Sequence, residues 1–182
     1  VAEPFKNLID AAGVRDIARH LRRAWPGFDV VRFEAAALHG LETLELKART
    51  LQIAAALQTT LPADFARAAD IIEASLAPAH DSGDLGLQRS PAAPTAWPAG
   101  SVWPLGEFVA RRGQARHPSA RCSTLHALTQ RFTAEFALRP FIVQHPDLTF
   151  ATLQRWTQRP QRRTCAAWSA KAAARACPGG CS

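Results

Sequence analysis

Every long apolar stretch in this chain repeats at helical spacing and is cut off by proline or glycine. Leu8, Ala11, Ala12, Ile17, Leu21 and Trp25 form one such stripe, ended by Pro26 and Gly27. Phe28 to Leu41 repeats it through Val31, Phe33, Ala37 and Leu38, with Gly40 near its end. Leu44 to Leu61 carries Leu51, Ala54, Ala55 and Leu57 before Pro62. Ala63 to Leu76 carries Phe65, Ala69, Ile71 and Ile72 before Pro78. No segment alternates as a half-buried strand would, and no Asn-Gly hairpin signal occurs. The first 77 residues therefore predict four consecutive helices.

The period fails over 78–102, which holds Pro78, Pro91, Pro94 and Pro98, with Pro104 just beyond. An irregular loop is expected there. Three helical segments follow, Pro104–Arg112, Thr124–Leu138 and Leu148–Thr157, with Pro104 in a first turn and Pro140 as a stop. Leu125, Leu128, Phe132 and Phe136 are expected to form one core stripe. Short helices in pairs fit a helical-repeat solenoid with units of roughly 40 residues. Periodicity alone fits an α-bundle equally well.

At 182 residues the chain suits one domain with a real core. No apolar run reaches the roughly 18 residues of a membrane span, and Val1–Asp10 lacks the pattern of a secretion signal. The expectation is a soluble, cytoplasmic monomer. The net charge of +7 is uneven: residues 1–80 hold 9 Lys/Arg against 10 Asp/Glu, residues 81–182 hold 13 against 5. A basic second half suits phosphate binding by counterion release, or else is a solvated surface. Cys122, Cys165, Cys177 and Cys181 all lie late, without the spacing of a zinc site or a secreted disulfide scaffold. No metal and no cofactor is expected.

Two segments combine an apolar helical stripe with a single carboxylate and flanking arginines. They are Trp103-Pro104-Leu105-Gly106-Glu107-Phe108-Val109-Ala110-Arg111-Arg112 and Thr129-Gln130-Arg131-Phe132-Thr133-Ala134-Glu135-Phe136-Ala137-Leu138-Arg139-Pro140-Phe141. A carboxylate on the apolar side of a helix costs several kcal/mol unless its charge is used. On spacing alone each glutamate also reads as a surface ion pair, with Arg111 or Arg139 four residues on.

These segments, with residues 2–9, 41–49 and 145–157, resemble the DNA alkylation repair family of HEAT-like alkylpurine DNA glycosylases, in particular its AlkC-type branch. The resemblance covers about 135 residues. It implies an all-α array of helical repeats with a concave basic face that cradles duplex DNA. The implied reaction is hydrolysis of the N-glycosidic bond of an alkylated base such as 3-methyladenine. An N-alkylated purine is cationic and leaves neutral, so the sugar acquires oxocarbenium character. An ionised carboxylate beside that carbon stabilises the developing charge and orients water. Glu107 then reads as the principal catalytic carboxylate and Glu135 as a second or positioning one. Trp103 would press its face on the lesion or its sugar, or else is a core tryptophan at a helix start. Lys47, Arg111, Arg131, Arg139 and Arg155 are the expected phosphate contacts. No lysine adjoins the glutamates, so Schiff-base chemistry is not suggested. A non-catalytic helical-repeat module that binds DNA or protein, even a degenerate inactive copy, is the alternative.

Three stretches depart from the family: Gln88–Gly100, Pro118–Ser123 and Thr164–Ser182. With GC-rich codons, a one-base shift of frame turns each into family-like sequence. Compensated frameshifts would also explain the late cysteines and the proline-heavy break. A repeat domain over 1–163 is thus expected, followed by a divergent tail at 164–182 that is disordered or an adventitious helix.

Overall fold

The structure is a computed structural model that describes residues 5–76, 99–112, 118–129 and 135–158. All regular elements among them are helical. After a 3-10 turn at Phe5–Leu8 come α1 (Ala11–Ala24), α2 (Val30–Leu38), α3 (Leu46–Thr60) and α4 (Phe65–Ser75). These are followed by α5 (Ala99–Arg112), α6 (Pro118–Thr129), α7 (Glu135–Gln144) and α8 (Pro146–Gln158). The tail at 164–182 and residues 77–98 lie outside the described residues.

Local chemistry explains the boundaries of the first four helices. Asp10, Asp29 and Asp64 cap α1, α2 and α4, each carboxylate accepting the amide N–H three residues on at 2.7–3.0 Å. Pro26-Gly27 turns the chain after α1. Gly40, at φ +61°, takes the left-handed conformation that a second 3-10 turn at Leu41–Thr43 requires.

The helices form two layers. In one, α2, α3, α5 and α7 pack side by side; in the other, α1, α4, α6 and α8 do. The expected helical-repeat architecture is therefore present: α1/α2, α5/α6 and α7/α8 pack as pairs, while α3 and α4 pack on the neighbouring helices of their own layers. Between the layers lie Leu21, Phe28, Phe33, Ile53, Leu57, Ile72, Leu105, Phe108 and Leu125, all essentially inaccessible to solvent. At roughly 1.5–3 kcal/mol for each fully buried large side chain, this core is the main stabilising term.

Polar contacts tie the repeats together. Arg49 is 1 % exposed, and its guanidinium donates to the carbonyls of Leu44, Ile9 and Glu42 at 2.8, 2.9 and 3.2 Å. It thereby pins the first turns of the chain to the start of α3. Arg112 donates to the carbonyls of Gln58 and Ala63 at 3.3 and 3.1 Å, joining the end of α5 to the α3–α4 corner. The hydroxyl of Thr124 donates to Glu73 at 2.7 Å, joining α6 to α4.

Four expectations need correction. The helix expected from Pro104 starts at Ala99, so residues 99–102 are not loop and Pro104 lies inside α5. The helix expected over Thr124–Leu138 is two helices, α6 and α7. Pro140 does not end a helix; it sits inside α7. Both prolines are the sixth residue of their helix. Each ring falls one turn in and forgoes only the bond to the carbonyl four residues back, Gly100 or Phe136. Finally, Leu125 and Leu128 are buried but Phe136 is 45 % exposed. Once the helix breaks, residue 136 no longer keeps the phase of 125 and 128. Phe132 lies outside the described residues.

Candidate functional site

Three consecutive helices of one layer, α3, α5 and α7, line a hollow of about 500 Å³. Lys47 reaches it from the first turn of α3. Trp103 and Glu107, four residues apart on one face of α5, form its floor. Phe136, Arg139, Pro140, Val143 and Gln144 supply the α7 side, again at helical spacing. The opposite faces of these helices are buried: Val102, Leu105, Phe108 and Val109 on α5, and Ala137, Leu138 and Phe141 on α7. The binary pattern of each helix thus aims the polar and aromatic residues outward.

A close approach of α5 and α7 shapes the hollow. A methyl group built on Gly106 would lie 3.6 Å from the Ala137 side chain, an ordinary contact between two small residues. Beside it the rings of Trp103 and Phe136 stack, 5.4 Å between centroids at 16°. The Arg139 guanidinium lies 5.0 Å from the Phe136 ring centroid. Cation and two rings form a layered wall, held partly by attraction between the charge and the ring face. The indole N–H of Trp103 is buried and has no acceptor.

Glu107 is half-buried, and among the described residues it has no hydrogen bond or ion pair, Arg111 and Arg139 included. The surface ion-pair reading of Glu107 is therefore not what the structure adopts. Lys47 is exposed, and it too pairs with no described residue. The hollow holds two cations, one uncommitted carboxylate and a stacked aromatic pair. Such a site attracts an anion at its rim and a cationic or electron-poor group at its centre.

Four expected site residues, Lys47, Trp103, Glu107 and Arg139, are brought together. The other four are not shown at the hollow. Arg111 is exposed one turn beyond Glu107 and continues the same face without lining it. Arg155 is exposed on α8, and its guanidinium turns back onto its own helix, to the Ala151 carbonyl and the Thr152 hydroxyl. Glu135 opens α7, with its side chain outside the described residues. Arg131 lies outside them altogether. The sequence reading missed Phe136 by placing it in the core. Phe136, Arg139 and Val143 recur three and four residues apart around Pro140, a stripe separate from Leu125 and Leu128 only once α6 and α7 are distinct helices, which spacing alone does not show.

A second hollow, also about 500 Å³, lies on the first hairpin between Arg22, Gly27, Phe28, Asp29, Val30 and Val31. Its one carboxylate, Asp29, is spent capping α2. No group of three or more potential metal ligands occurs among the described residues, and no described helix is long and apolar enough to cross a membrane.

The fold has a counterpart among solved structures. The Pseudomonas fluorescens alkylpurine DNA glycosylase AlkC, bound to DNA containing an abasic site analog, superposes with a TM-score of 0.74 at 22 % identity. The match covers 93 % of this chain and 43 % of that one. The uncharacterized protein YhaZ of Bacillus subtilis (strain 168) is 26 % identical over 155 residues, 85 % of this chain and 38 % of that protein. No family model matches. The chain has the AlkC-type helical-repeat fold, and it spans less than half the length of either relative.

Proposed function

We propose that this chain binds duplex DNA across the α3–α5–α7 hollow and hydrolyses the N-glycosidic bond of alkylated bases such as 3-methyladenine. The carrying observation is Glu107, half-buried and without an ion pair among the described residues, set among Lys47, Arg139 and the Trp103–Phe136 stack. Lys47 and Arg139 hold phosphates on either side of the lesion. Trp103 and Phe136 press on the lesion or its sugar, while Glu107 faces the sugar carbon. As the base leaves neutral, the carboxylate stabilises the oxocarbenium ion and orients the water that attacks it. Glu135 serves as a second carboxylate, and Arg111, Arg131 and Arg155 extend the phosphate contacts. The enzyme is monofunctional, works as a cytoplasmic monomer and needs no cofactor.

The test is release of 3-methyladenine from methylated duplex DNA. Wild type should release it, and Glu107→Gln should lower the rate on the order of a hundredfold or more while duplex affinity stays within about twofold. The second reading is a non-catalytic DNA-binding module, which Lys47 and Arg139 at the hollow would serve equally well. Duplex binding by wild type with no base release would establish it.

A further inference from the structure

The exposed side of α1 is a stripe of arginines: Arg15, Arg19, Arg22 and Arg23. Helix geometry places it away from the hollow. Gly13 of α1 faces Ser101 of α5, since a methyl group built on Gly13 would lie 3.0 Å from the Ser101 hydroxyl. Ser101 and Trp103 are two residues apart and so point about 200° from one another, as do Gly13 and Arg15. The order through the molecule is therefore hollow, α5, α1, arginine stripe.

Most of the stripe is already ordered. Arg19 pairs with the largely buried Asp16. Arg22 donates to the Phe28 carbonyl at 2.9 Å. Arg23 donates to Nδ1 of the buried His20 at 3.2 Å. Arg15 contacts no described residue. At the end of α1, Arg67 of α4 lies over the Trp25 ring at 5.9 Å, adding a fifth guanidinium. The nearby acids are mostly committed: Asp16 to Arg19, Asp29 and Asp64 to helix caps and Glu73 to Thr124, while Asp70 of α4 is exposed. The field of the stripe is felt inside the protein. Burial first, then Arg23 and Arg19, lower the His20 pKa from 6.5 to about 4, outweighing the opposing Asp16.

We propose that the α1 arginine stripe is a second nucleic-acid surface, which grips the phosphate backbone of duplex DNA on the side opposite the hollow. From Arg15 to Arg23 the helix advances about 12 Å; laid along the duplex axis this passes three or four phosphates of one strand, which recur roughly every 3.4 Å of axis. All five cations are arginines, whose planar forks match phosphate oxygens in pairs. α1 exposes no large apolar side chain that could sink into a bilayer. With both surfaces occupied, one molecule holds two duplex segments.

The test titrates undamaged duplex DNA against salt with the full chain. In Arg15→Gln/Arg19→Gln/Arg22→Gln/Arg23→Gln, the slope of log affinity against log salt should flatten by about 3 to 4. The milder Arg15→Gln/Arg22→Gln leaves the Asp16 and His20 contacts in place and should flatten it by about 2. Lys47→Gln/Arg139→Gln should retain salt-sensitive binding that the combined variant lacks. Unchanged slopes in both stripe variants, each with a wild-type melting curve, would overturn the proposal. So would loss of all duplex binding in the Lys47/Arg139 variant, or loss of binding only to phosphatidylserine vesicles. The binding of two segments rests on the proposed role of the hollow. Stripe binding does not, and base release measured on the same variants separates the two: no release from any of them, with flattened slopes, defeats the hollow's assignment alone.

Discussion

Phe136 and Glu107 line the same hollow and illustrate how one side chain acquires meaning from another. A half-exposed phenylalanine alone is common in a folded protein. Stacked on Trp103 of α5 with the Arg139 guanidinium over it, the ring joins the two helices that bear the hollow's charges. Phe136→Ala should therefore weaken base release by roughly tenfold while leaving the melting temperature within a few degrees, because the ring is not part of the core. Steady-state release assays and thermal melts check the two halves. Arg49 is the converse case, a charge spent on structure. Arg49→Met orphans three carbonyls and should cost about 3 kcal/mol, read as a lower denaturation midpoint. Lys47, Trp103, Glu107 and Arg139 could be named from the sequence through the family resemblance, since on spacing alone Glu107 also reads as a surface ion pair. Phe136 could not, since an aromatic at helical spacing looks the same whether it faces core or solvent. Arg49 was likewise invisible: nothing local distinguishes a buried arginine from a solvated one.

At the scale of single helices, two glycines of α5 carry opposite predictions. A methyl group on Gly106 would meet Ala137 at an ordinary 3.6 Å, so Gly106→Ala should be neutral or stabilise by up to about 1 kcal/mol through helix propensity. A methyl group on Gly100 would lie 2.0 Å from the Leu8 carbonyl oxygen, so Gly100→Ala must push α5 away from the first turn. It should cost about 1–3 kcal/mol. Paired thermal melts decide both, and equal melting temperatures would contradict the close packing. The four N-terminal helices were legible because their apolar period is regular and prolines and glycines mark their ends. The later helices were misread where proline was taken as a boundary. The rings of Pro104 and Pro140 lie just past the first turn, where each costs one backbone hydrogen bond that burial of the surrounding helix face offsets.

The whole molecule responds to acid through a group remote from the hollow. His20 is buried against the arginines of α1, and its pKa falls from 6.5 to about 4. In the folded chain it stays neutral, whereas the unfolded chain takes up a proton near pH 6.5. This stabilisation is complete above pH 6.5 and is lost as pH falls from there to about 4. The loss amounts to on the order of 3 kcal/mol. Urea midpoints measured across that window should drop more in wild type than in His20→Gln. The all-α repeat architecture itself followed from periodicity together with family resemblance. The split into two layers, and hence which helices share the functional face, depends on contacts between residues far apart in the chain.

That Lys47, Glu107 and Arg139 come from three neighbouring helices of one layer gives the hollow a built-in gauge. Packed helices stand about 8–10 Å apart, so the two cations are separated by roughly two such steps with the carboxylate midway. Rotamer changes swing the charged ends of Lys47 and Arg139 but leave the spacing of the helices that carry them unaltered, as do surface substitutions. Only a change in side-chain bulk at the helix seams, such as Gly106 against Ala137, would recalibrate it.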